Sequence, residues 1–171
     1  MAYIGRLQNG KNVDKVIELF ESVAIEFPAL ELHIAGDGPL SEELTLKAME
    51  SLFSKRIFFH GYVEDIASFY ESVDLFVFLS AHESFGNVLV EALLTGLPVL
   101  TSNVPAFEEI HGGEALFILG DPDEFLRVKE KFQKTIRAYP ALAAVAYEKS
   151  HSLANRFGVE QHLTKIEPYY N

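Results

Sequence analysis

Short apolar runs alternate with segments of helical periodicity along the first 120 residues of this chain. Such alternation is typical of a parallel sheet, because parallel strands need long crossover connections and cannot be joined by tight turns. Each strand-like run is followed by a segment long enough for a helix. Strands are predicted at residues 2–4, 31–35, 57–59, 75–79, 98–101 and 116–119.

The helical segments complete this pattern. Apolar residues recur at three- and four-residue steps over residues 13–27, with Asn12 available as the N-cap and Pro28 as the stop. The sequence therefore predicts an α/β fold: a Rossmann-like, doubly wound parallel sheet of about six strands with helices on both faces. Further helices are predicted at residues 41–52, 66–71, 87–95 and 106–111.

The pattern changes after Asp121, where helical periodicity continues and no strand-like run occurs. Pro140 and Gly158 are predicted to divide this C-terminal tail into three helices. Asp121 and Asp123 precede the first of them and are interpreted as capping residues, not as a metal-binding Asp-x-Asp pair. With 171 residues, one apolar core and no linker, the chain is predicted to be a single domain, residues 1–171.

Composition excludes several classes of function. A net charge of −11 argues against nucleic-acid binding, which needs a basic face. The absence of cysteine excludes disulfides and thiolate zinc sites, and the six histidines have no metal-binding spacing, so no metal is expected. No signal peptide and no apolar run of membrane-spanning length is present, so we expect a cytoplasmic domain without membrane contact of its own.

Four loops are predicted to follow the first four strands and to meet at one rim, where open parallel sheets bind ligands. In the fourth loop, a helix beginning near Asn87 would offer free backbone amides to a phosphate, with Gly86 permitting close approach. A glycine chosen only for its dihedral angles is an equally good interpretation. The loops read GRLQNGKN, GDGP, HGYVED and SAHESFG.

Glu91 lies one turn beyond Asn87 on the same helical face. The surrounding residues are apolar nearly all round, which predicts a largely buried helix in which this carboxylate needs a partner or a ligand. A carboxylate suits a pair of sugar hydroxyls, although a solvated surface glutamate is the commoner case. His82 is predicted at the edge of the site, next to Glu83.

Arg6 and Lys11 in the first loop fit a diphosphate clamp, the alternative being two ordinary surface cations. In the second loop, Gly36-x-Gly38 resembles the start of a dinucleotide fingerprint, but the third glycine is replaced by a serine. These glycines are interpreted as allowing a tight turn near a ligand.

Taken in order, YIGRLQNGKN, HIAGDGP, FFHGYVED and SAHESFGNVLVEALLTGLPVL resemble the C-terminal, donor-binding domain of GT-B-fold glycosyltransferases of family 4. The tail ANRFGVEQHLTKIEPYY is similar to that family's closing helices. The resemblance implies retaining transfer of a sugar from a nucleotide-sugar, with a UDP-sugar first among the candidates, and neither a metal nor a cofactor. It also implies bacterial lipopolysaccharide, O-antigen or other surface polysaccharide synthesis.

The resemblance assigns roles to the matching positions. Arg6 and Lys11 would hold the donor diphosphate, Glu83 would orient the transferred sugar, and Glu91, the second acid of the E-x(7)-E motif, would bind the ribose. The catalytic set is then Glu83, Arg6 and Lys11. The donor-binding set is Gly5, Arg6, Lys11, Gly36, Gly38, Tyr62, Val63, Glu83, Ser84, Phe85, Gly86, Asn87 and Glu91.

The chain departs from the family pattern at Asn12 and Ser84, where many members have glycine. It also lacks the N-terminal domain that binds the acceptor, so the chain resembles half of an enzyme and is expected to be inactive alone. An acceptor glycan or lipid-linked sugar would bind through that domain, and the full enzyme would lie at the inner face of the membrane. Two alternatives remain at this stage: an NAD(P)-binding oxidoreductase domain and a non-catalytic interaction domain with an acidic surface.

Overall fold

The computed structural model describes residues 1–157, and within them one sheet of six parallel strands has the order β3-β2-β1-β4-β5-β6. Strand order reverses between β1 and β4, which are direct neighbours. The predicted doubly wound sheet is therefore confirmed. The strands are β1 Ala2–Ile4, β2 Leu32–Ala35, β3 Ile57–Gly61, β4 Phe76–Phe78, β5 Val99–Ser102 and β6 Ile118–Gly120.

Seven α-helices in the described residues connect and follow these strands, and a short 3-10 helix, Ser54–Arg56, precedes β3. The five predicted before Asp121 are all present. The helices are α1 Val13–Val23, α2 Ser41–Glu50, α3 Ile66–Glu71, α4 Asn87–Leu94, α5 Pro105–His111, α6 Phe125–Arg137 and α7 Tyr139–Phe157.

The first helix is shorter than predicted: α1 ends at Val23 rather than continuing to residue 27. The guanidinium of Arg56 explains the early end, because it donates to four backbone carbonyls of the following segment. These are the carbonyls of Ala24, Phe27, Pro28 and Leu30, at 2.8 to 3.2 Å. An arginine remote in sequence thus satisfies carbonyls outside the helix.

Asn12 is the N-cap residue of α1, as predicted, but its side chain makes no capping hydrogen bond. It has a left-handed conformation with φ of 53°, and its amide donates to the Leu79 carbonyl at 2.8 Å. Asparagine adopts this conformation more readily than most residues. The bond joins the loop after β1 to the end of β4.

The central strands are buried, and aromatic rings continue the core toward the rim. Tyr3 packs against Phe78 with ring centroids 5.7 Å apart, and Phe78 packs against Phe107 at 5.1 Å. All three side chains are fully buried. These packed aromatic rings therefore form a rigid support for the loops at the rim.

Helix α4 is buried on one side only, which corrects the prediction of a largely buried helix. Its buried residues are Leu89, Val90, Ala92 and Leu93, and α4 packs mainly against α7. The opposite face, which carries Asn87 and Glu91, is exposed.

The C-terminal tail begins as predicted, since α6 and α7 meet at Ala138 and Pro140 lies in the first turn of α7. Asp121 is not a helix cap: Glu124 occupies the N-cap of α6, while the Asp121 carboxylate accepts the Asp123 amide at 2.9 Å within a turn. The predicted third helix after Gly158 lies outside the described residues. Across residues 1–157, none of the helices has the length and apolar character needed to cross a bilayer.

Candidate functional site

A cavity of about 360 Å³ lies where the loops after β1, β2 and β3 meet. Its base is apolar, and Arg6, Asp37 and Tyr62 are exposed around it. Five residues of the predicted donor-binding set line this cavity. The lining consists of Ile4, Gly5, Arg6, Ala35, Gly36, Asp37, Tyr62, Val63 and Ile66.

Gly36 and Gly38 allow the first two loops to touch. A Cβ atom on Gly36 would lie 1.9 Å from the Gly5 carbonyl oxygen, and one on Gly38 would lie 2.3 Å from the Leu7 carbonyl oxygen. The amide of Leu7 donates to the Asp37 carbonyl at 2.9 Å in the same crossing. The glycine pair is thus required for contact between loops, and Gly38 itself does not line the cavity.

Two charged residues face this cavity with different environments. The pKa of the Asp37 carboxyl is lowered by hydrogen bonds from the Ser41 hydroxyl and the Gly38 amide, and further by the nearby Arg6 charge. Within residues 1–157, the exposed Arg6 guanidinium makes no hydrogen bond or ion pair. Its five donors are therefore available to a ligand.

Lys11 and Glu83 form an ion pair where the strand order reverses. Their side chains are only 17% and 16% exposed, and the Lys11 ammonium lies 5.4 Å from the centre of the Phe78 ring. The sequence assigned these residues to different parts of a ligand, the diphosphate and the sugar. The structure pairs them with each other, so Lys11 does not share the open surroundings of Arg6.

Helix α4 begins at Asn87, directly after Gly86. Gly86 has φ of 86°, which favours glycine, and a Cβ there would lie 3.1 Å from the Phe107 ring, a tighter contact than most Cβ atoms make. The Gly86 carbonyl accepts the Leu89 and Val90 amides, while the amides of Asn87 and Val88 have no acceptor within residues 1–157. A structural reason for Gly86 therefore coexists with free amides at the helix start.

Glu91 is exposed on the same face as Asn87 and has a partner that the sequence did not reveal. The Tyr70 hydroxyl lies 3.1 Å from the Glu91 carboxylate and 3.1 Å from the Val88 carbonyl. The pKa of Tyr70 is raised by burial, and further by the Glu91 charge and hydrogen bond. Tyr70 therefore stays protonated and orients Glu91. It comes from α3, which no sequence motif links to α4.

Three further residues predicted for the site lie in the loop between β4 and α4. Ser84 and Phe85 are exposed in the loop before α4, and His82 is exposed at the edge of a second cavity, formed by the loops after β4, β5 and β6. Over the described part of the chain, no three or more histidine, aspartate or glutamate side chains converge on a potential metal site.

A rim of this kind, at the strand ends of a doubly wound sheet and centred on the reversal of strand order, defines an α/β ligand-binding domain. Residues 1–137 match the family model of the glycosyl transferases group 1, and the chain belongs to this family.

Curated relatives support the assignment. Capsular polysaccharide biosynthesis glycosyltransferase CapM of Staphylococcus aureus is 27% identical, covering 100% of this chain and 45% of the relative. Mannosylfructose-phosphate synthase of Agrobacterium fabrum is 32% identical, covering 95% of this chain and 39% of the relative. The O-antigen biosynthesis glycosyltransferase WclY of Escherichia coli is 29% identical over 81% of this chain and 38% of its own length. The chain thus spans less than half the length of these relatives.

Solved structures share the fold. Anabaena HepE in complex with UDP has a TM-score of 0.83 at 22% identity, covering 99% of this chain and 47% of HepE. WaaG, a glycosyltransferase involved in lipopolysaccharide biosynthesis, has a TM-score of 0.76 at 22% identity, covering 88% of this chain and 42% of WaaG. This likeness concerns the fold, which is that of a GT-B glycosyltransferase domain.

Proposed function

We propose that this chain is the donor-binding domain of a retaining, metal-independent glycosyltransferase of family 4 whose donor is a UDP-sugar. One observation carries the proposal. At the reversal of strand order, Lys11, Glu83 and the free amides of α4 adjoin loops that also form a cavity lined by Arg6 and Tyr62. A nucleotide-sugar has a flat base, a ribose, a diphosphate and a sugar, and each part has a suitable group along this rim.

The base is assigned to the first cavity. Its apolar lining includes Ile4, Ala35 and Val63, and Tyr62 offers an exposed ring for contact with a planar ligand. The Asp37 carboxylate at the same cavity is able to accept hydrogen bonds from donors on a base edge.

The ribose hydroxyls are assigned to Glu91. This carboxylate lies one helical turn, roughly 6 Å, from Asn87, which matches the short distance between a ribose and the adjoining phosphate. The Tyr70 hydroxyl fixes one carboxylate oxygen. Because this hydrogen bond fixes the orientation of the whole carboxylate group, the second oxygen also has a defined direction, which solvent contacts alone would not give it.

The diphosphate is assigned to Arg6, Lys11 and the amides of Asn87 and Val88. As the bond between sugar and diphosphate breaks, negative charge grows on the diphosphate oxygens, and donors already in position stabilise that charge. Lys11 would exchange Glu83 for phosphate, which leaves Glu83 free to bind hydroxyls of the transferred sugar. Transfer itself would require the acceptor-binding part of a longer enzyme.

The names of the relatives support an acceptor class. CapM, the core-lipopolysaccharide enzyme LpsE of Rhizobium meliloti and WclY are named for capsule, lipopolysaccharide and O-antigen synthesis. HepE was solved with UDP and with UDP-glucose. We therefore place the complete enzyme in bacterial surface polysaccharide synthesis, in the cytoplasm at the inner face of the membrane, with a glycan or lipid-linked sugar as acceptor.

Isothermal titration of the purified chain with UDP, GDP, ADP and NADH tests the donor assignment. UDP is expected to bind more tightly than the other nucleotides, and NADH is expected not to bind. Absence of UDP binding at millimolar concentration contradicts the proposal, and preferential binding of NADH would favour an oxidoreductase domain instead.

A further inference from the structure

A further cavity, of about 490 Å³, lies beside helix α6 at the β6 edge of the sheet. Ala115 and Leu116, which precede β6, line it together with one face of α6 and with Ala138. The first two of these residues lie at the amino end of β6, whereas the proposed donor site lies at the carboxyl ends of the strands. The cavity is therefore separate from the donor site, and the proposed function gives it no ligand.

Helix α6 concentrates positive charge in an acidic chain. Five of the 14 lysines and arginines lie in its 13 residues, with one of the 25 acidic residues. Attraction to the helix dipole accounts for cations in the last turn, which holds Lys134 and Arg137. It does not account for Arg127 in the first turn, or for Lys129 and Lys131 in the middle of the helix. Helix stability therefore explains only part of this charge.

Three of these cations share the face that lines the cavity. Arg127, Lys131 and Lys134 are spaced by four and three residues, which places them in a row along one side of the helix. Arg127 pairs with Glu124. The ammonium groups of Lys131 and Lys134 make no hydrogen bond or ion pair within the described part of the chain. Like charges at this spacing repel each other, so an anion between them is stabilising.

Thr135 adds a neutral hydrogen-bonding group to the same lining. This residue is only 5% exposed, yet its hydroxyl makes no hydrogen bond to any other group in residues 1–157. A ligand oxygen that accepts from this hydroxyl would give it the partner that it lacks. Glu130 also lines the cavity, but three cations outnumber this carboxylate and leave the lining with net positive charge.

The remaining lining is apolar. Ala115, Leu116 and Ala138 form a carbon surface beside the aliphatic stems of the lysines. A small inorganic anion would leave this surface uncovered, whereas an anionic group attached to an apolar body would contact both parts of the lining. The volume falls within the range of about 300–1,000 Å³ usual for small-molecule sites.

A phosphate group fits the polar side of the cavity better than a carboxylate does. It carries up to two negative charges and at least three acceptor oxygens, so it can accept from two ammonium groups and a hydroxyl at the same time. A carboxylate has one charge and two oxygens. The number of donors on the lining therefore favours phosphate.

We propose that this cavity binds a phosphate group carried on an apolar body, with Lys131, Lys134 and Thr135 as the residues that bind the phosphate oxygens. This chemistry has two sources: a soluble phosphate ester and the headgroup of an anionic phospholipid. Because the cavity shares no residue with the proposed donor site, binding here does not depend on UDP.

Amide NMR of the chain during titration with phenyl phosphate tests the site. Saturable shift changes in residues 115–116 and 127–138 are expected at millimolar concentration. Inorganic phosphate is expected to shift the same residues with lower affinity, because it lacks the apolar body. Equal affinities for the two anions would contradict the role given to the apolar lining.

Lipid vesicles distinguish the two sources. If a phospholipid headgroup is the ligand, the chain should cosediment with phosphatidylglycerol vesicles and not with zwitterionic phosphatidylcholine vesicles. If phenyl phosphate binds and neither kind of vesicle does, the site takes soluble phosphate esters. Either result supports a phosphate site in this cavity.

Variants test the assigned side chains. Lys131→Gln and Lys134→Gln should each weaken binding about tenfold, because each removes a charge-assisted hydrogen bond to the phosphate. Thr135→Val keeps the shape of the side chain and should weaken binding about threefold to fivefold. Lys129→Gln is the matched control, since it removes the same charge from the same helix at a position outside the cavity lining. All four variants should bind UDP as the wild type does.

Two results would overturn the phosphate site. If Lys129→Gln weakens binding as much as Lys131→Gln, the net charge of the helix, and not the cavity, governs binding. If phenyl phosphate causes no shifts in residues 115–116 and 127–138 and vesicles do not bind, the site is wrong, while UDP titration still decides the donor proposal. Loss of UDP binding with these shifts retained would contradict the donor proposal alone.

Discussion

Lys11 and Glu83, 72 residues apart in sequence, pair directly at the point where strand order reverses. From the sequence alone, these residues were assigned to different parts of a donor, Lys11 to the diphosphate and Glu83 to the transferred sugar. In the proposed function, Lys11 pairs with Glu83 while the donor is absent and binds the diphosphate when the donor is present. Glu83 then competes with the diphosphate for Lys11, and the donor must displace it.

Glu83→Gln removes this competitor and should tighten UDP binding, while abolishing sugar transfer in a full-length enzyme. An ion pair of this kind contributes about 1 kcal/mol, so the affinity should rise about fivefold. Calorimetry with UDP measures the change. Glu50→Gln, at an exposed position at the end of α2, should leave the affinity unchanged. Weaker UDP binding in Glu83→Gln would mean that Glu83 supports the nucleotide site and does not compete.

Arg6→Ala and Lys11→Ala should each weaken UDP binding by roughly 10- to 100-fold, because a charge-assisted hydrogen bond contributes about 1.5–3 kcal/mol. Titrations at two salt concentrations check the electrostatic origin, since added salt should weaken wild-type binding more than binding to either variant. Lys55→Ala is the control, because it removes an exposed cation from the 3-10 helix before β3, at the opposite end of that strand from the rim. If all three variants bind UDP alike, neither Arg6 nor Lys11 holds the diphosphate.

The sequence predicted the sheet because strand and helix periodicities are local properties of short segments. It also predicted that the loops carrying Arg6, Gly36 and Tyr62 meet at one rim, since parallel strands bring their carboxyl ends together. The fold therefore followed from patterns that extend over a few residues.

The partners of individual side chains did not follow from the sequence. Tyr70 reaches Glu91 from another helix, and Arg56 reaches the carbonyls after α1 from the segment before β3. The exposed face of α4 was also missed, because composition does not reveal that α7 covers only one side. Such contacts depend on tertiary packing, which no local pattern encodes.

Gly36→Ala should destabilise the fold by roughly 3 kcal/mol, because the added Cβ would meet the Gly5 carbonyl oxygen at 1.9 Å. For a chain of this size, the melting temperature should fall by about 6–12 °C. Gly10→Ala is the matched control, since Gly10 also has a positive φ but has no atom within 4 Å of the added Cβ. Thermal unfolding compares the two. An equal fall in melting temperature in the two variants would show that backbone strain, and not the contact between loops, is the reason for glycine at position 36.

Glu91→Gln should reduce the preference of the chain for UDP over its 2′-deoxy analogue, because the carboxylate is proposed to accept the ribose hydroxyls. Tyr70→Phe should weaken UDP binding by about threefold to tenfold, since it removes a hydrogen bond worth about 1 kcal/mol that orients Glu91. Tyr147→Phe, at an exposed position on α7, is the control. An unchanged preference for UDP in Glu91→Gln would assign the ribose to other residues.

His111 should make the fold less stable as pH falls. Its side chain is fully buried, its Nδ1 has no hydrogen-bond partner within the described residues, and burial, with a smaller effect from Lys149, lowers its pKa to about 4. The folded pKa lies below the unfolded value of about 6.5, so the unfolded state binds more protons between these two pH values. The stability that the neutral imidazole provides is therefore complete above about pH 6.5 and is lost toward pH 4, by at most about 1.4 kcal/mol per pH unit.

Denaturant unfolding between pH 7 and pH 5 measures this loss of stability. His111→Phe should show a shallower decline than wild type, whereas His82→Gln, at an exposed histidine, should retain the wild-type slope. Equal slopes in wild type and His111→Phe would locate the acid sensitivity in other groups.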